Sequence, residues 1–151
     1  MPKTIELQQQ YNYPPEVIWS CLTEADILAA WLMENDFKPI VGHRFRFITK
    51  PKVKFGFDGI IYGEVLEVIH FRKLVYGWKG GPGNGKINLD TVITWTLEPT
   101  GGGTLLTLRH SGFKGLKNFI PFIVMGKGWQ KIMQKKLVKY LNGVEHANIA
   151  G

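Results

Sequence analysis

One cysteine, Cys21, occurs in 151 residues. A lone cysteine excludes an internal disulfide and fits a reducing cytoplasm. No apolar run approaches the length of a membrane span, so no stable membrane insertion is expected. Met1 to Gln10 is polar and has no signal-peptide pattern, so the expected location is cytoplasmic. Metal and nucleophile motifs are also missing. There is no HExxH, no cysteine pair and no GxSxG, and His43, His70, His110 and His146 lack metal-ligand spacing. Gly80 to Gly85 is glycine-rich, but no Lys-Ser/Thr follows, so it reads as a turn-rich loop and not a phosphate cradle. No metal, no cofactor and no catalytic residue are assigned.

Acidic residues are scarce: 12 Asp and Glu stand against 19 Lys and Arg, a net charge of +7. The basic residues are dispersed. Their densest groups are Lys50 to Lys54, in a loop, and Lys131 to Lys139, on a helix whose opposite face is apolar. Both read as solvated faces. Aromatic and basic residues interleave only at Arg44-Phe45-Arg46-Phe47, so no nucleic-acid partner is expected.

Aromatic residues are plentiful, at 13% with five Trp and nine Phe. They fill cores, and they also line apolar cavities. The length suits a single domain over residues 1–151 with a sizeable core.

The pattern along the chain is strand first. Ile5 and Leu7 alternate with polar neighbours over Thr4 to Tyr11. Pro14-Pro15 opens a helix with Val17, Ile18, Cys21 and Leu22 on its apolar face, where Cys21 is a small buried hydrophobe. Thr23, with Asp26 three residues on, is the expected N-cap of a second short helix. Strands are expected at His43 to Phe47, with Phe45 and Phe47 on one face and Arg44 and Arg46 on the other, across Phe55 to Ile69, and at Leu74 to Trp78. Glu64 and Glu67, at odd separation, should fall on opposite faces of their strand. Val92 to Phe113 reads as two strands joined at Gly101-Gly102-Gly103, with Ser111-Gly112 as a turn. A helix follows from Lys117 to Leu141, carrying Phe122, Trp129, Met133, Leu137, Tyr140 and Leu141 on one face. Gly126 and Gly128 within it suggest tight packing, a kink or room left for something.

His110 is in phase with Leu106 and Leu108 and so faces inward. It reads as a partly buried imidazole bonded to a backbone carbonyl, or as a polar group orienting a ligand at a cavity mouth, or as a general base. Trp31, Phe37, Phe57, Tyr76, Trp78, Trp95 and Trp129 exceed the needs of a minimal core. Several of them could line a pocket between sheet and helix.

The chain resembles the helix-grip fold of the START-like, or SRPBCC, superfamily. It is most similar there to homologues of the C-terminal domain of Aha, the activator of Hsp90 ATPase. The resemblance rests on Pro15-Glu16-Val17-Ile18-Trp19, Leu28-Ala29-Ala30-Trp31, Val41 to Phe47, Gly63 to Val68, Lys73 to Trp78, Thr94 to Pro99, Leu106 to Phe113, and Trp129. It implies an α+β architecture, a curved antiparallel sheet wrapped around a long C-terminal helix, with an apolar cavity between them. The ligand-binding set would then be Trp31, Phe37, Phe57, Tyr76, Trp78, Trp95, His110, Met125, Trp129 and Met133. The expected partner is a small apolar or amphipathic molecule or lipid. A chaperone partner is the alternative, and a cyclase- or hydrolase-like enzyme using His110, Asp58 or Tyr76 is a third reading. The expected oligomeric state is a monomer or weak homodimer. Phe119-Ile120-Pro121-Phe122 is more apolar than the family pattern and suits a lid or an association surface.

Overall fold

The computed structural model describes residues 3–150, with side chains at all of these except 55 and 145–150. His146 therefore lies outside the described side chains. Seven antiparallel strands form one sheet: β1 (Lys3–Tyr11), β2 (Glu34–Asn35), β3 (Arg44–Ile48), β4 (Ile60–Ile69), β5 (Lys73–Gly80), β6 (Leu89–Thr100) and β7 (Gly103–Phe113). Their spatial order is β1-β7-β6-β5-β4-β3-β2. Two short helices, α1 (Pro15–Thr23) and α2 (Ala25–Trp31), carry the chain from the β1 edge to the β2 edge. A long C-terminal helix follows the sheet. It comprises α3 (Phe119–Lys131), a π segment (Ile132–Lys136) and α4 (Leu137–Ala150).

Alternation in the strands sets the inner face. Phe45 and Phe47 of β3, Leu74, Tyr76 and Trp78 of β5, Ile93, Trp95 and Leu97 of β6, and Leu106, Leu108 and His110 of β7 are all buried. Trp129, Met133, Leu137 and Leu141 cover them from the helix and are buried too. The β6–β7 turn uses Gly101 and Gly102 at φ 53° and 87°, as a two-residue hairpin turn requires.

Two bulges alter the strand phases read from the sequence. The β4–β5 register shifts between Val65 and Glu67, leaving Leu66 as the extra residue. Glu64 and Glu67 therefore share the outer face, where Glu64 pairs with Arg44 and Glu67 with Lys73. The β1–β7 register shifts at Thr4/Lys3, opposite Ser111 and Phe113, so Ser111-Gly112 is a bulge within a strand and not a turn. The shift returns Phe113 to the interior against His110 and Phe122.

Other boundaries differ as well. Val53–Phe55 forms a 3-10 turn and β4 begins only at Ile60, so the Phe55 to Ile69 stretch is loop first and strand second. Thr23 does not cap α2. Its hydroxyl donates to the Trp19 carbonyl at 2.8 Å, and Glu24 occupies the N-cap position without a side-chain bond. Gly126 lies over Ile5, where an added Cβ would make ordinary contact at 3.9 Å, and a Cβ at Gly128 would meet nothing within 4 Å.

Candidate functional site

The interior beneath the helix is a ring lattice. Trp95 and Trp129 stand edge to face at 5.6 Å, Trp78 lies 5.3 Å from Trp129 and 5.5 Å from His110, and Trp31 meets Trp95 at 6.4 Å. Phe37 packs on Phe45 and Tyr76. The space between Trp95, His110 and Trp129, where a ligand would lie, is thus filled by side chains.

His110 is fully buried, and its bonds fix its proton. Trp129 Nε1 can only donate, and it donates to Nδ1 of His110 at 3.1 Å. Nδ1 is therefore bare and Nε2 carries the hydrogen, which it donates to Thr91 Oγ1 at 2.7 Å. Thr91 in turn donates to the Trp78 carbonyl at 2.7 Å. Burial pushes the His110 pKa down to about 3. The imidazole is a neutral link between the helix and two strands, with both nitrogens occupied. Its partners are a hydroxyl and an indole, where the sequence suggested a backbone carbonyl. Tyr76 Oη accepts from Trp95 Nε1 at 3.0 Å, and burial raises its pKa. Asp58 accepts from the Ile60 N–H at 3.1 Å in the loop before β4. None of these three groups lines the cleft described next.

A cleft opens at one end of the sheet, where the Lys52 to Gly59 loop, the β5–β6 connection and α3 converge. Its volume is about 90 Å³. Phe57, Ile61, Leu89, Ile120, Val124 and Met125 form its apolar wall, Lys52 is the one charged residue of the lining among the described residues, and Gly80 and Gly81 leave the floor bare. The mouth is held together by two amides. Asn88 Nδ2 donates to the Gly56 carbonyl at 3.4 Å. Asn118, with its amide oriented to satisfy both neighbours, donates to the Asn88 carbonyl and accepts from the Lys114 N–H, each at 3.1 Å.

Of the residues expected to bind a ligand, Phe57 and Met125 stand at this cleft. Trp31 borders a wide, shallow depression between α2 and α4. Phe37, Tyr76, Trp78, Trp95, His110, Trp129 and Met133 are packed in the core. Ile61, Leu89 and Val124 were not singled out by sequence reasoning, and Ile120 only within an apolar run read as a lid or association surface. The apolar run Phe119 to Phe122 was the signal nearest to them. Among the described residues no cluster of His, Cys, Asp and Glu could hold a metal ion, and no helix is long and apolar enough to cross a membrane.

A sheet wrapped against one long C-terminal helix, with a crossover of two short helices, defines the helix-grip class of START-like proteins. The model of one family in that class, described as Activator of Hsp90 ATPase homolog 1-like protein, matches residues 12–142, and the chain belongs to that family. Among solved structures it is similar to protein MLL2253 from Mesorhizobium loti, with 34% identity over 93% of this chain and 97% of that one, at a TM-score of 0.81. The Aha1 dimer from Colwellia psychrerythraea shares the fold at 20% identity and a TM-score of 0.68, over 87% of this chain and 91% of that one. CalU16 from Micromonospora echinospora does so at 22% identity and 0.68, over 93% and 74%. No curated protein matches the chain.

Proposed function

We propose that this protein binds an amphipathic molecule end-on, with the apolar end of the ligand in the cleft between α3 and the sheet. The observation carrying this reading is the cleft lining, in which Lys52 and Asn88 are the polar side chains among the described residues and the rest is apolar or glycine. Volume narrows the ligand class. About 90 Å³ is far below the roughly 300–1,000 Å³ of sites that enclose drug-sized molecules. It is also below the about 150 Å³ of an apolar cavity that takes benzene. The end of an acyl chain fits such a space, whereas a fused ring system does not. Lys52 gives a carboxylate head a cation at the rim.

Calorimetric titration with a series of short- to medium-chain fatty acids tests the reading. Affinity should rise with chain length and then level off once the cleft is full. Val124→Trp, which places a large ring at the half-exposed mouth, should abolish binding while leaving the fold intact by circular dichroism. Absence of binding at millimolar ligand, or undiminished binding by Val124→Trp, overturns it.

A further inference from the structure

The first turns of α3 carry an apolar face that is left uncovered among the described residues. Leu116 in the preceding 3-10 turn is 94% exposed, and Phe119, Ile120, Ile123 and Val124 are between 40 and 54% exposed. Their spacing places the α3 residues on one side of the helix, away from Phe122, which packs on Phe113. The surface continues past the cleft. Val53, in the turn between the lining residues Lys52 and Gly56, is 85% exposed, and Ile87, beside Asn88, is exposed as well. Three separate segments thus present large aliphatic side chains around one opening.

Charge surrounds this patch with a single sign. Lys50, Lys52 and Lys54 flank Val53, Lys86 precedes Ile87, Lys114 and Lys117 bracket Leu116, and Lys127 and Lys131 extend the α3 stripe. No Asp or Glu occurs from Pro99 to Val144. The acidic side chain within the loop, Asp58, is turned to its own backbone.

We propose that this face docks on an anionic lipid bilayer, with Leu116, Phe119, Ile120, Ile123 and Val53 entering the interface and the surrounding lysines meeting lipid head groups. A second copy of the chain fits poorly, because a two-fold contact would set lysines against lysines. Nucleic acid matches the charge but gives no return on five exposed aliphatic and aromatic side chains. A bilayer with negative head groups satisfies both features at once. The docking does not depend on the cleft holding a ligand, although it would bring the cleft mouth to the lipid.

Vesicle flotation tests the proposal. The full chain should float with phosphatidylcholine vesicles containing about 30% phosphatidylserine and stay behind with phosphatidylcholine alone. Lys117→Glu with Lys127→Glu should weaken binding on the order of thirtyfold, at about fivefold for each lysine lost. Leu116→Glu with Ile123→Glu, both at exposed positions, should weaken it roughly tenfold or more with the melting temperature unchanged. Three outcomes overturn the proposal: no flotation with the anionic vesicles at physiological salt, full binding by the Leu116/Ile123 variant, or tighter binding to duplex DNA that this variant leaves unaltered. The fatty-acid titration of Val124→Trp reads the cleft separately, so the two ideas can fail independently.

Discussion

The indole of Trp129 donates to Nδ1 of His110 at 3.1 Å, and this one bond decides what the histidine is. A protonated imidazole would present a hydrogen to a group that can only donate. Acid therefore works against the native core. The folded pKa of about 3 lies below the unfolded value, so the unfolded chain binds the extra proton. The stability from this group is fully present above about pH 6.5 and is lost as the pH falls toward the folded value. Urea midpoints should show about 2–3 kcal/mol lost to this group by about pH 4.5. His110→Gln should be less stable at neutral pH but flatter in its pH response.

Tyr11 makes a comparable link on the other side of the core. Its hydroxyl donates to the Met133 carbonyl at 2.6 Å. Tyr11→Phe leaves that buried carbonyl without its partner and should cost about 1–3 kcal/mol in equilibrium unfolding.

Two glycines should respond in opposite directions to alanine. A Cβ at Gly63 would collide with the ring of Phe45, its cross-strand partner, and lie 2.7 Å from the Gly77 carbonyl oxygen. Gly63→Ala should lose about 1–3 kcal/mol. Gly128 is a helix-interior glycine with open space around it, so Gly128→Ala should gain up to about 1 kcal/mol. Thermal melts of the two variants, run side by side, check the contrast.

Cys21 is buried between α1 and the sheet, and burial, with the nearby Glu24 charge, pushes its thiol up to about 12. A thiol held neutral is a poor nucleophile. Alkylation of the native protein should proceed only at the rate of unfolding, and denaturant should accelerate it. Rapid labelling without unfolding would contradict the packing of α1.

Much of this architecture was legible in the residues, because alternation and helical spacing record which side is buried. Phe45 and Phe47, Leu74 to Trp78, and Trp129 to Leu141 face as their spacing says. Misreadings fall where period alone is not enough. The bulges at Leu66 and Gly112 add a residue that composition does not mark, so Glu67 and Phe113 change sides. Thr23 carries a capping side chain, but a helix C-terminus offers it a carbonyl one turn back, and that bond wins. The cleft was harder still. Aromatic count cannot distinguish rings stacked on one another from rings lining a void, and the walls of the cleft come from three segments distant in sequence.

The π segment has a consequence for chain length. Trp129, Met133, Leu137 and Leu141 repeat every fourth residue, which in a regular α-helix would drift by roughly 40° at each step. One wide turn over Ile132–Lys136 absorbs part of that drift and keeps all four side chains on the sheet. The helix therefore holds one residue more than its face requires. Removing exposed Gln134 should restore a regular α-helix with the same buried face, while removing a residue from the middle of α3 should turn everything beyond it away from the core.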